Sequence, residues 1–154
     1  MDTEDFSRVI ESYGDLVFRI ARARMTTQED AEDIYQEVFI TYAQKLPRFP
    51  NEDAERAWFA RTVSNLCKSK WRSIQRHPAE SLDAAANVAV EDPDYTELRA
   101  ALNKLPDKYR RPIELFYFAD LTVETVAKEL GISPNAIRIR LSRARKMLED
   151  WLKE

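Results

Sequence analysis

Residues 121–151, LTVETVAKELGISPNAIRIRLSRARKMLEDW, leave little choice of local structure. Thr122 and Ser133 stand where a hydroxyl caps a helix N-terminus. Pro134 suits a first helical position, where its missing N–H costs nothing. Between them Gly131 can take the left-handed conformation that ends a helix. The pattern predicts helices over 122–130 and 134–152, joined by a tight turn in a helix-turn-helix. Val123, Val126, Ala127 and Leu130 form the inner side of the first. Ile137, Leu141, Ala144 and Leu148 form a narrow apolar stripe along the second, at about 100° per residue. The opposite side of that helix carries Asn135, Arg138, Ile139, Ser142, Arg143 and Lys146, with Ser133 at its start. Amide, hydroxyl, guanidinium and ammonium groups are what base edges and phosphates require, and Ile139 offers an apolar contact for a thymine methyl. An ordinary amphipathic helix with a solvated face is the bland alternative.

The rest of the chain also reads as helix. Only two glycines occur in 154 residues, and strand-like alternation is absent. Apolar stripes mark a first helix through Val9, Tyr13, Leu16, Val17 and Ile20, with Gly14 as a candidate break. A second runs through Ala31, Ile34, Val38 and Tyr42, capped by Thr27. A third spans about Ala54 to Ile74. Helices over 95–104 and 106–118 precede the helix-turn-helix, and Pro112 should kink the latter or delay its start. Residues 77–94 read as a linker with a short helix at Leu82–Val88 as an option. The expected fold is all-α: a three- to four-helix N-terminal domain (1–76), the linker (77–94) and a four-helix C-terminal domain (95–154).

The formal charge of −3 hides a pattern. Residues 56–76 carry six bases and no acid, whereas 77–97 carry six acids and no base. The C-terminal region is basic again. Two acid-free basic blocks in an acidic chain point to a polyanion partner. In the middle block Arg61, Asn65, Lys68 and Arg72 share one side of the helix, with Trp58 and Trp71 at its edges. Rings beside a basic face suit single-stranded nucleic acid, where bases stack and cations follow phosphates. Two core tryptophans among solvated arginines would give the same pattern. The single cysteine, Cys67, falls on the apolar side and reads as a packed thiol; it excludes an internal disulfide. No membrane-length apolar run, multi-cysteine metal site, glycine-rich phosphate loop or triad is present, so no cofactor, metal or enzymatic role is expected.

The words EDAEDIYQEVFITYAQKL, AWFARTVSNLCKSKWRS and LNKLPDKYRRPIELFYFADLTVETVAKELGISPNAIRIRLSRARKML occur here in order, with an acidic linker after the second. Together they resemble the extracytoplasmic-function sigma factors, small initiation factors of bacterial RNA polymerase. The resemblance implies a cytoplasmic protein whose partners are core polymerase (β′ clamp helices and β flap), promoter DNA and an anti-sigma factor. Asp33, Gln36 and Glu37 would meet the clamp helices. Phe49, Trp58 and Asn65 would form the pocket for a flipped minus-ten base, with Arg61, Lys68, Trp71 and Arg72 alongside. The helix from Pro134 would enter the major groove of the minus-thirty-five element. A free-standing helix-turn-helix repressor or activator is the other reading of these residues.

Overall fold

The structure is a computed structural model that describes residues 3–76 and 96–153. The expected linker and its optional helix lie outside the described residues. Seven α-helices occur among those described: α1 (Thr3–Arg24), α2 (Gln28–Lys45), α3 (Glu52–Arg76), α4 (Thr96–Lys104), α5 (Asp107–Ile113), α6 (Val123–Leu130) and α7 (Pro134–Leu152). They form two bundles, α1–α3 and α4–α7.

The hydroxyl caps form where expected. Thr27, Thr122 and Ser133 each accept from the backbone N–H three residues on, at 3.1 Å. Gly131 ends α6 with φ 71°. Two helix ends use less obvious residues. Asn51 caps α3 by accepting from the Ala54 N–H at 2.8 Å, which starts that helix before Ala54. Leu46 ends α2 in the left-handed region, φ 45°, and its N–H bonds the Tyr42 carbonyl.

The candidate break at Gly14 needs correction, and of the two alternatives for Pro112 the delayed start is excluded. α1 runs unbroken through Gly14. A Cβ there would meet the Tyr35 hydroxyl at 3.1 Å, so the glycine serves the close approach of α2 rather than a bend. Pro112 does not delay α5, which starts at Asp107. It sits inside the helix with no N–H for the Lys108 carbonyl. From Glu114 to Phe118 the chain then widens into a π-helical turn, in which the Ala119 N–H reaches back five residues to the Glu114 carbonyl at 3.0 Å.

The two bundles share one apolar core. Val9, Val17, Val38, Phe59 and Val63 on one side are continuous with Leu105, Leu115, Val126 and Ile137 on the other. Tyr13 stacks on Phe59 with ring centroids 4.5 Å apart. Cys67 lies within this core, as its apolar position implied. Burial pushes its thiol up to about 12, which leaves almost no thiolate near neutrality. Native protein at about pH 8 should therefore resist maleimide, while urea-unfolded protein should label fully. Fast labelling of the native form would place Cys67 outside the core.

A polar hub joins the bundles at the end of α1. The Arg24 guanidinium donates from Nη1 to Glu114 Oε2 and to Ser64 Oγ, both at 3.3 Å. Its Nε donates to Asn103 Oδ1 at 2.6 Å. Ser64 closes the ring by donating to Glu114 Oε1 at 2.7 Å, and Asn103 Nδ2 returns to the Arg24 carbonyl at 2.9 Å. Arg24, Ser64 and Glu114 are all buried. Burial pushes the Glu114 carboxyl above its ordinary range, against the opposing pull of Arg24, Ser64 and Arg110.

Candidate nucleic-acid interface

α7 presents two unlike sides. Ile137, Leu141 and Ala144 are buried against the bundle. Ser133, Asn135, Arg138, Ile139, Ser142, Arg143 and Lys146 are all exposed. Ile139 keeps 43% of its surface in solvent, an apolar group surrounded by polar ones. Arg138 lies 3.2 Å from Glu124, and Lys146 lies 3.2 Å from Asp150. Both pairs are exposed, so each contributes little and can be exchanged for a phosphate. The other two basic residues of α7 are turned aside. Arg140 is half-buried, and Arg145 donates to the Tyr117 hydroxyl at 2.7 Å. The Ser133 hydroxyl is engaged as the helix cap.

On α3 the expected residues separate into two groups. Phe49 and Trp58 meet edge to face at 6.0 Å, and Trp58 also packs on Tyr42 and Phe59. Trp58 is thus half-buried in an aromatic cluster. Phe49 lines a cavity of about 620 Å³ with Arg8, Tyr13, Arg48, Asn51 and Glu55 among its walls. Tyr13 donates to Glu55 Oε1 at 2.6 Å and fixes that carboxylate. Asn65, two turns along α3 from Trp58, does not line this cavity. It is exposed, and its Oδ1 accepts from Arg111 Nη2 at 2.9 Å. Arg61 and Lys68 are half-buried beside it and also engage the second bundle; Trp71 is half-buried and Arg72 exposed. Asn51 and Glu55 were missed from sequence, and Tyr13 was read there only as part of the apolar stripe of α1, not as a wall of this cavity. Asn51 could have been found as a cap ahead of the acidic first turn of α3; Tyr13 had no local signal, because α1 brings it from far away in the chain.

α2 offers a third surface. Asp33, Gln36 and Glu37 are exposed, while Ile34, Val38 and Tyr42 face the core. Ile40 extends the outer strip with 49% of its surface exposed. Its position seven residues after Asp33 is the signal that could have found it. Among the described residues no cluster of three or more His, Cys, Asp or Glu could hold a metal ion. Nor is any described helix long and apolar enough to cross a membrane.

Comparison with known proteins agrees with this arrangement. Residues 9–77 match the family model Sigma-70 region 2, and residues 95–148 match Sigma-70, region 4. The ECF RNA polymerase sigma factor SigE of Mycolicibacterium smegmatis is 28% identical over 96% of this chain, which spans 61% of that relative's length. The RNA polymerase sigma factor SigV of Bacillus subtilis is 28% identical over 88% of this chain and 83% of its own. Two solved structures share the fold. CnrH, in complex with the cytosolic domain of CnrY, has TM-score 0.69 at 24% identity over 99% of this chain and 90% of its own. RpoE of Bartonella quintana, in complex with the anti-sigma factor NepR, has TM-score 0.67 at 22% identity over 98% of each chain.

Proposed function

Since this chain belongs to the sigma-70 family, in its extracytoplasmic-function branch, we propose that it binds core RNA polymerase, recognises minus-ten and minus-thirty-five elements and initiates transcription. Residues 1–76 engage polymerase and the opened minus-ten strand, 77–94 connect, and 95–154 read the minus-thirty-five duplex. Asp33, Gln36 and Glu37, with Ile40 beside them, form the strip for the β′ clamp helices, and the C-terminal domain meets the β flap. Phe49, Trp58, Arg61, Asn65, Lys68, Trp71 and Arg72 serve the single strand. The protein works by binding, with no catalytic residue of its own, and acts in the cytoplasm, where polymerase and promoter are. An anti-sigma factor as a further partner fits the solved RpoE of Bartonella quintana, which is in complex with the anti-sigma factor NepR.

The observation that carries the reading is the outward side of α7. Its Asn135, Arg138, Ile139, Ser142, Arg143 and Lys146 are exposed above the buried Ile137–Leu141–Ala144 stripe, with Arg138 paired to Glu124 and Arg143 in contact with the Tyr109 hydroxyl. Replacing Arg138, Arg143 and Lys146 together with alanine should flatten the salt dependence of duplex binding by about three in slope, since each cation taken from a phosphate lowers it by about one. The positions are exposed, so folding should be unaffected. An unchanged slope would place the duplex-binding side elsewhere.

A further inference from the structure

The cavity against Phe49 is layered. Among the described residues Tyr13 is its only buried wall, at 2% exposed. Phe49 and Glu55 line it half-buried, whereas Arg8, Arg48 and Asn51 line it from exposed positions. Tyr13 comes from α1 and Glu55 from the first turn of α3. The Tyr13 hydroxyl donates to Glu55 Oε1 at 2.6 Å. Burial, and after it the bond to Glu55, push that hydroxyl well above its ordinary range. It therefore stays the donor of the pair, and Glu55 stays the acceptor. The bond fixes the carboxylate in the cavity wall and leaves Oε2 to accept from a ligand. Asn51 Oδ1 is engaged by the Ala54 N–H, and Asn65 lies outside the cavity.

We propose that Glu55, oriented by Tyr13, selects the unstacked minus-ten base, accepting one with an exocyclic amine and disfavouring thymine. This rests on the assignment of Phe49 to the opened minus-ten strand above. An unstacked base is held by a ring against its face and by hydrogen bonds to its edge. Phe49 supplies the ring, and Arg8 and Arg48 supply cations at the opening for the flanking phosphates. A fixed carboxylate offers acceptors only. Cytosine, adenine and guanine each present an amine N–H to it. Thymine presents one N3–H between two carbonyl oxygens, so a carboxylate that reaches the N–H also faces a carbonyl. A buried acceptor left facing another acceptor is what makes a site reject a near-isostere. The selection is one of chemistry and not of size, since cytosine and thymine share a ring. The reader is then Glu55, in place of the Asn65 that the resemblance implied.

Glu55→Gln tests the selection in holoenzyme assembled from the full chain and core polymerase, with core alone as the blank. The probes are two labelled single strands of about 12 nucleotides, one of deoxycytidine only and one of thymidine only, at a pH where cytosine is neutral. The parent should bind the deoxycytidine strand about tenfold more tightly than the thymidine strand. Glu55→Gln should bring the two within about twofold, because an amide accepts from an amine and donates to a carbonyl. The amide oxygen still accepts from Tyr13, so the fold is kept. Tyr13→Phe should leave an intermediate ratio, about threefold, with thymidine binding unweakened, because the carboxylate remains but is no longer fixed. Equal binding of both strands by the parent, or a preference that survives Glu55→Gln, overturns the proposal and leaves Glu55 as a structural partner of Tyr13. A preference lost in Asn65→Ala but kept in Glu55→Gln also overturns it and returns base reading to Asn65. If neither strand binds holoenzyme above core alone, the single-strand assignment itself fails, and the selection falls with it.

Discussion

Glu114→Ala is expected to lower stability by about 3–5 kcal/mol, the usual cost of removing one member of a buried ion pair. The change leaves the Arg24 guanidinium, 2% exposed, with Asn103 and Ser64 but no counter-charge. For a chain of this size the thermal midpoint should fall by roughly 10 °C. Glu114→Gln should cost less. Burial raises the carboxyl above its ordinary range, so desolvation offsets part of what its charge contributes, and an amide keeps an acceptor for Ser64. The sign of the pH dependence follows. An acid whose folded pKa is raised contributes its stability fully below its unfolded pKa and loses it as pH rises through the folded value. The parent should therefore lose part of its advantage over Glu114→Gln as pH rises from acid towards neutral. Urea unfolding of the three proteins across that range checks both points. An unchanged midpoint in Glu114→Ala would mean that the hub contributes nothing to folding.

The second large effect is expected at α2. Asp33→Lys with Glu37→Lys should abolish co-purification with core polymerase. Both side chains are exposed and neither takes part in the α2 packing of Ile34, Val38, Phe39 and Tyr42. Helix content and melting should stay within about 0.5 kcal/mol of the parent, as for surface substitutions generally. Reversed charge across an interface replaces attraction by repulsion and commonly costs several kcal/mol. Retained binding at parental strength would move the polymerase contact to another surface.

Much of this was legible in the chain because its signals are local. A hydroxyl three residues before the N–H it accepts, a glycine that ends a helix and a period of 3.6 need no knowledge of distant residues. So the caps at Thr27, Thr122 and Ser133, and the two sides of α7, follow from short words. Gly14 was ambiguous for the opposite reason. Its role depends on Tyr35, which another helix supplies. The hub was illegible on the same ground, since Arg24 and Glu114 are 90 residues apart in sequence. Leu46 and the π-helical turn after Pro112 carry no compositional mark, because a leucine in the left-handed region and a five-residue hydrogen-bond register are set by packing. The polar side of α3 was correctly placed by its spacing, but spacing reports only which residues share a side. That Arg61, Asn65 and Lys68 meet Glu129, Arg111 and Asp107 becomes visible only once the two bundles are together.

The most direct test of the central claim is transcription in vitro with core RNA polymerase, the purified chain and a pool of promoter fragments. The account predicts chain-dependent transcripts that start downstream of a shared pair of minus-thirty-five and minus-ten sequences, and their disappearance with the Asp33→Lys, Glu37→Lys variant. Tight binding of the chain alone to duplex fragments, with no chain-dependent start from any of them, would contradict it and identify a helix-turn-helix regulator instead.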